Sequence, residues 1–202
     1  MVETPMAALG KQPPARMTLA EFFAWEPGDR SVRSWQLIDG EPVAMSPATE
    51  AHGALQIEIG ALLRNHLLAR GAPCRVIGEA GVVPRVRSDR NYRIPDLGVT
   101  CSPPSASLMV AEPLLLIEIL SPSNEVETWA NIWAYTTIPS VTEILVVSST
   151  KIEAELLRRH PDGAWPETPE RIGPGAMLRL DSIGFEIALD ALYRTTMLAG
   201  GA

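Results

Sequence analysis

Apolar runs in this sequence, such as Leu114 to Ile117 before Glu118, fall far short of the roughly 18 to 20 residues that a membrane-spanning helix needs, so no span is expected. Near the N-terminus Lys11 is followed by Pro13 and Pro14 and not by an apolar block. Export is therefore not expected, and the cytoplasm is the expected compartment. Cysteine is nearly absent: Cys74 and Cys101 lie in apolar stretches without metal-ligand spacing and are expected to be free buried thiols, with no disulfide. Basic side chains are also few, 17 against 24 acidic ones. The resulting net charge of −7 argues against broad, non-specific attraction to nucleic acid or to an anionic membrane, although a local basic groove is compatible with it.

What is present fits one domain. The 202 residues are 46% hydrophobic and 20% charged. Residues 1–16 mix Pro, Ala and Gly without a period and read as a flexible arm, which leaves 17–202 as the domain. Thr18 with Glu21 three residues on is a capping-box pattern for a short helix ending before Pro27. Trp35–Ile38 and Pro42–Met45 flank Asp39-Gly40-Glu41 as a hairpin. From Thr49 to Ala69, Leu55, Ile59, Leu62, Leu63 and Leu67 recur at helical spacing, and Gly71 stops the run.

Strands are expected at Arg75–Val86, Leu97–Cys101, Pro113–Leu120, Glu143–Ser148, Lys151–Arg159, Met177–Leu180 and Phe185–Ile187. A helix is expected at Glu125–Thr136, and a closing helix at Leu189–Leu198. The near-continuous apolar runs Leu114 to Leu120 and Glu143 to Val147 predict two neighbouring central strands, buried on both faces. The order of elements gives an α/β domain with a mixed sheet.

Three acidic residues stand where a purely structural sequence rarely puts them. Glu58 has Ala54, Leu55, Ala61 and Leu62 as its helical neighbours, so its carboxylate projects from an apolar face. Glu118 is the single charge in Leu114-Leu115-Leu116-Ile117-Glu118-Ile119-Leu120, and a carboxylate buried in a strand needs a partner. Asp96 follows Pro95 at the start of a strand. Paired with Glu118 it has the make-up of an oxygen-ligand site for Mg²⁺ or Mn²⁺. Glu79 is a weaker candidate. His52, near the start of the long helix, reads as a surface or capping residue.

Ile94-Pro95-Asp96, then Leu116-Ile117-Glu118-Ile119-Leu120-Ser121-Pro122-Ser123, then a helix carrying Tyr135 before Ser140-Val141-Thr142-Glu143-Ile144, resemble the Uma-two type of restriction endonuclease. That family is a bacterial branch of the PD-(D/E)XK nuclease fold. The hairpin Trp35 to Ser46 and His52 are similar too, so the likeness spans roughly residues 18–190.

The resemblance implies a restriction-endonuclease-like mixed sheet flanked by helices. It also implies Mg²⁺ or Mn²⁺ held by Asp96, Glu118 and the backbone carbonyl of Ile119, with Glu58 matching an acidic helix position that many such nucleases add. The motif's lysine, two residues after the second acid, is Leu120 here, and relatives that move it to the next helix would place it at Asn131. Only Lys11 and Lys151 exist in the chain. Weak or undetectable phosphodiester cleavage is therefore expected, and Asn131→Lys is expected to raise it if Asn131 takes the migrated lysine's place.

Glu127, Asn131 and Tyr135 share one face of their helix, whereas Trp129 and Trp133 form another, expected in the core or in a homodimer contact. Arg85, Arg87, Arg90 and Arg93 lead into Asp96, where they could meet phosphates or form a solvated hairpin. The expected function is metal-dependent endonuclease action on nucleic acid, with DNA as the expected substrate and no membrane partner. The alternative is a catalytically reduced accessory protein of the same fold that binds nucleic acid or oligomerises.

Overall fold

The computed structural model describes residues 16–27, 34–122 and 124–200; the expected arm, apart from Arg16, lies outside them. Helix α1 (Leu19–Ala24) starts at the expected capping box, with the Thr18 backbone N–H donating to Glu21 Oε2 at 2.7 Å. Strands β1 (Trp35–Ile38) and β2 (Glu41–Ala44) then form a hairpin. Its two-residue turn has φ 50° at Asp39 and 88° at Gly40, the left-handed conformations that a tight hairpin turn demands. This unit packs its own small core, in which Met17, Phe22 and Leu37 meet Tyr92 and Ile94.

Six strands make the main sheet, in the order β3 (Arg75–Gly78), β4 (Leu97–Thr100), β5 (Pro113–Leu120), β6 (Glu143–Ser148), β7 (Ala154–Arg158) and β8 (Glu170–Ile172). All neighbours are antiparallel except β5 and β6, which run parallel with Glu118 beside Val146. The two apolar runs are thus adjacent central strands, as their composition predicts. Every residue of β6 is buried, as are six of the eight in β5.

Helix α2 (Glu50–Ala69) covers one face, joined there by the hairpin β9 (Met177–Leu180) and β10 (Phe185–Ala188). Helix α3 (Glu125–Tyr135) covers the other, over Leu116, Ile144, Val146 and Leu157. The alternation along β5 decides which residue meets which layer: Leu115, Ile117 and Ile119 face α2, whereas Leu116 and Glu118 face α3.

Three expectations need correction. Only Arg75–Gly78 of the expected strand 75–86 joins the sheet; beyond it the chain turns to the β1–β2 unit through the isolated bridge Val82↔Arg93, while Tyr92 bridges Leu37. The closing segment is two 3₁₀ turns, Leu189–Tyr193 and Met197–Gly200, and not one helix. Cys74 and Cys101 are joined in a disulfide. The register explains the bond: β3 and β4 pair Arg75 with Thr100, so the preceding and following cysteines come face to face at the end of the ladder. Spacing along the chain carries no trace of that pairing.

The bond closes a loop between residues 27 apart in sequence. In the loop-entropy account a loop of that size is worth about 3 to 4 kcal/mol. Urea unfolding with and without a thiol reductant is expected to show a loss of that order. Coincident curves would count against it.

Candidate functional site: a carboxylate pair

The site forms where β4 begins. Leu97 is the first residue to pair with β5, opposite Ile117, so no β4 carbonyl lies beyond it to accept the Ile119 N–H. The Asp96 side chain supplies the acceptor, with Ile119 N donating to Oδ2 at 2.7 Å. His52 Nε2 lies 2.8 Å from the other oxygen, Oδ1. Gln56, one turn later on α2, donates from Nε2 to the Asp96 carbonyl at 2.9 Å. Spacing at i and i+4 puts both side chains on the stripe of α2 that lies over β4. Asp96 is thus gripped from a helix on one side and a strand on the other.

Glu118 is 7% exposed and lies on the α3 face. Its Oε1 accepts a 2.6 Å hydrogen bond from the Tyr135 hydroxyl. Burial pushes the Glu118 carboxyl well above the usual carboxylate range, and the neighbouring Asp96 charge pushes it further; the Tyr135 hydrogen bond opposes the rise. Burial and the Glu118 charge in turn push the Tyr135 phenol well above its ordinary value. Two carboxyl groups in one dry place repel each other and favour either a shared proton or a cation.

Of the residues singled out from sequence, the fold brings Asp96, Glu118 and Ile119 together. Asn131 is buried close by but is bound to Arg93, whose Nη1 donates to Asn131 Oδ1 at 2.7 Å. Glu58 is buried as expected, but the structure does not bring it to the pair; its Oε1 lies 2.6 Å from Arg194 Nη2. The helix explains the separation, because position 58 is roughly 200° around from Gln56, away from the stripe over β4. Glu79 is exposed and takes a 3.4 Å hydrogen bond from Ser34, and Glu127 is exposed in the first turn of α3. Lys151 pairs with Glu153 on the β6–β7 turn. Among the described residues, no group of three or more His, Cys, Asp and Glu side chains is arranged as a metal cage.

The model of the Uma2 family, described as "Putative restriction endonuclease", matches residues 19–190. The chain belongs to the Uma2 family. The Uma2 match takes in every element described above from α1 to β10, the carboxylate pair included. A relative from Synechocystis sp., the uncharacterised protein slr1290, is 30% identical over 182 residues, covering 89% of this chain and 92% of that one. In three dimensions the chain is similar to the crystal structure of "a putative nuclease belonging to DUF820" from Anabaena variabilis, with a TM-score of 0.72 at 16% identity, covering 88% of this chain and 97% of that one. That second likeness speaks for the fold, a mixed sheet between helices. Uma2 membership and this fold together support a nuclease-like function.

Sequence reasoning missed His52, Gln56 and Tyr135 as partners of the acidic pair, and treated Arg93 as one of four equivalent arginines. A signal existed for the first two, since His52 and Gln56 are polar residues one turn apart, with the small Gly60 completing the stripe against Leu97. Tyr135 was visible as part of the family resemblance and as a residue sharing a helix face with Asn131, with nothing to pair it with Glu118.

No described helix is long and apolar enough to cross a membrane.

Proposed function

We propose that the protein is a metal-dependent phosphodiesterase acting on nucleic acid, with DNA as the substrate, and that Asp96, Glu118 and the Ile119 carbonyl hold Mg²⁺ or Mn²⁺. The observation that carries this reading is the juxtaposition of Asp96 with the buried Glu118, whose carboxyl is held well above its ordinary range by burial and by the Asp96 charge. The donor set fits a hard divalent cation, because all its atoms are oxygens and its two carboxylates need a countercharge. Such an ion, when bound, polarises a phosphate oxygen and lowers the pKa of water.

The chain's own groups do the positioning. His52 fixes the direction of Asp96 through Oδ1, the Ile119 N–H fixes Oδ2, and Tyr135 holds Glu118 Oε1. Each carboxylate keeps lone pairs for a ligand. Glu58 would have to leave Arg194 to join them.

The test is cleavage of duplex DNA together with calorimetric titration of Mn²⁺. Weak cleavage is expected, stronger with Mn²⁺ than with Mg²⁺, and both cleavage and Mn²⁺ binding should be lost in Asp96→Ala. Robust Mg²⁺-dependent cleavage would overturn the expected weakness. Cleavage that persists in Asp96→Ala and Glu118→Ala would show the site to lie elsewhere.

One observation favours the second reading, an accessory protein with reduced catalysis: the helix position given to the motif's lysine holds the neutral Asn131. DNA binding without metal, unaffected by Asp96→Ala, would support it. Association as a homodimer belongs to either reading. Trp129 and Trp133 lie with ring centroids 6.4 Å apart on α3, and Trp133 is 46% exposed.

A further inference from the structure

The four arginines leading into Asp96 occupy different environments. Arg85 and Arg87 are exposed, Arg87 paired with Asp39, and Arg90 is half-buried beside Asp89. Arg93 is 7% exposed. Its Nη1 donates to Asn131 Oδ1 at 2.7 Å and its Nη2 to Asn91 Oδ1 at 3.1 Å, both neutral amide oxygens. Its Nε is buried with no hydrogen-bond partner among the described residues. A buried guanidinium that finds only neutral acceptors is costly unless negative charge lies nearby.

That charge is present. Asp39 favours the charged guanidinium, and Asn131, to which Arg93 is bound, lies one turn before Tyr135 on α3, whose hydroxyl donates to Glu118. One turn of α3 therefore separates the residue that holds this cation from the one that holds Glu118. Asn131, which holds the guanidinium, stands at the helix position where a lysine would otherwise project. A lysine there would take away the oxygen that holds Arg93 Nη1 and set a second cation beside the guanidinium, so the two cations compete for one place.

We infer that Arg93 is the built-in positive charge of the carboxylate site, held by Asn131 and acting on Glu118 across Tyr135 as a positioning residue. The inference rests on the reading of Asp96 and Glu118 as a divalent-cation site and deepens it by naming the group that supplies the missing amine's charge. Such a charge acts with opposite signs on two quantities. It weakens the hold on a divalent cation by repulsion, and it favours the negative charge that gathers on a phosphate under attack.

The experiment compares Arg93→Gln, Arg93→Lys and Arg93→Gln with Asn131→Lys against the unmodified protein, reading Mn²⁺ affinity by calorimetry and DNA cleavage separately. Arg93→Gln is expected to bind Mn²⁺ about tenfold more tightly while cleaving about a hundredfold more slowly. Arg93→Lys should stay close to the unmodified protein in both. Adding Asn131→Lys to Arg93→Gln should return both quantities toward their original values.

Arg93→Gln that loses metal affinity and cleavage together, or changes neither, overturns the inference, as does failure of Asn131→Lys to restore the pair of values. If Arg93→Gln does not fold, Asn131→Lys alone decides: a second cation in an occupied place should weaken Mn²⁺ binding about tenfold, and unchanged or tighter binding overturns the inference. Mn²⁺ binding that depends on Asp96 in a protein that never cleaves DNA would remove the phosphodiesterase reading while the affinities still decide Arg93. No Mn²⁺ binding at all would overturn both.

Discussion

Replacing Glu118 with glutamine is expected to stabilise the protein near neutral pH while lowering metal-dependent cleavage by at least about a hundredfold, since even partners behind a metal ligand commonly matter by that factor. Glutamine keeps the shape and still offers Oε1 to the Tyr135 hydroxyl, so the packing around a 7% exposed side chain is preserved. What disappears is a charge that the fold disfavours.

The sign follows from linkage. The Glu118 carboxyl is raised in the folded state, by burial first and by Asp96 second. The folded chain therefore holds a proton that the unfolded chain releases, and stability falls as pH climbs from the ordinary carboxylate range toward the raised folded value. The glutamine variant does not share that fall. Denaturation without metal should show the two proteins nearly equal near pH 5 and the variant ahead at pH 8, by on the order of 1 kcal/mol. A variant less stable than the unmodified protein at both pH values would contradict the assigned burial and repulsion.

Among the substitutions, Glu143→Ala carries the largest expected loss of stability. The Glu143 side chain is only 1% exposed, and its carboxylate serves three donors: Arg158 Nε at 2.9 Å and Asp181 N at 3.0 Å on Oε1, and Ser182 N at 2.8 Å on Oε2. Strand β6 is thereby tied to the turn between β9 and β10. Alanine would leave two backbone N–H groups without their acceptor at about 1 to 3 kcal/mol each. Arg158 would fare better, since Asp181 lies 3.1 Å from the same nitrogen. The expected total is about 3 kcal/mol, or a melting temperature lower by roughly 10 °C. Glutamine at 143 should lose less, because one oxygen remains to accept. A Glu143→Ala protein melting within a degree of the original would mean that the turn finds other acceptors.

The sheet's centre was legible in the sequence because β5 and β6 are apolar on both faces, a pattern that leaves few alternatives to a covered parallel pair. The Asp39-Gly40 turn was legible for a local reason, two adjacent positive φ angles. Less of the stretch between Gly78 and Asp96 could be read, since its partners are residues of the β1–β2 unit far away in sequence, as Tyr92 with Leu37 shows. The same limit governs side chains. Glu58 was correctly marked as buried by its apolar neighbours, yet its partner is Arg194, beyond the last strand. Asp96 and Glu118 stood out because charge is rare where they lie. Nothing local distinguished Arg93 from Arg85, Arg87 and Arg90, because burial by a distant helix leaves no mark on the residues beside it.

The Cys74–Cys101 bond has a consequence for how copies of this chain can meet. Strand β3 is an outer strand of only four residues, and such a strand is the natural candidate to peel away and be donated to another molecule. A covalent tie to β4 at its first turn forbids that exchange without bond cleavage. At the opposite border β8 is three residues long and carries Glu170 and Arg171, so it offers little backbone and much charge to an incoming strand. With β3 tied to its neighbour and β8 short and charged, neither border strand is readily donated to another molecule. A pairing of two copies that keeps each molecule's strand order intact is thereby favoured over one that exchanges β3.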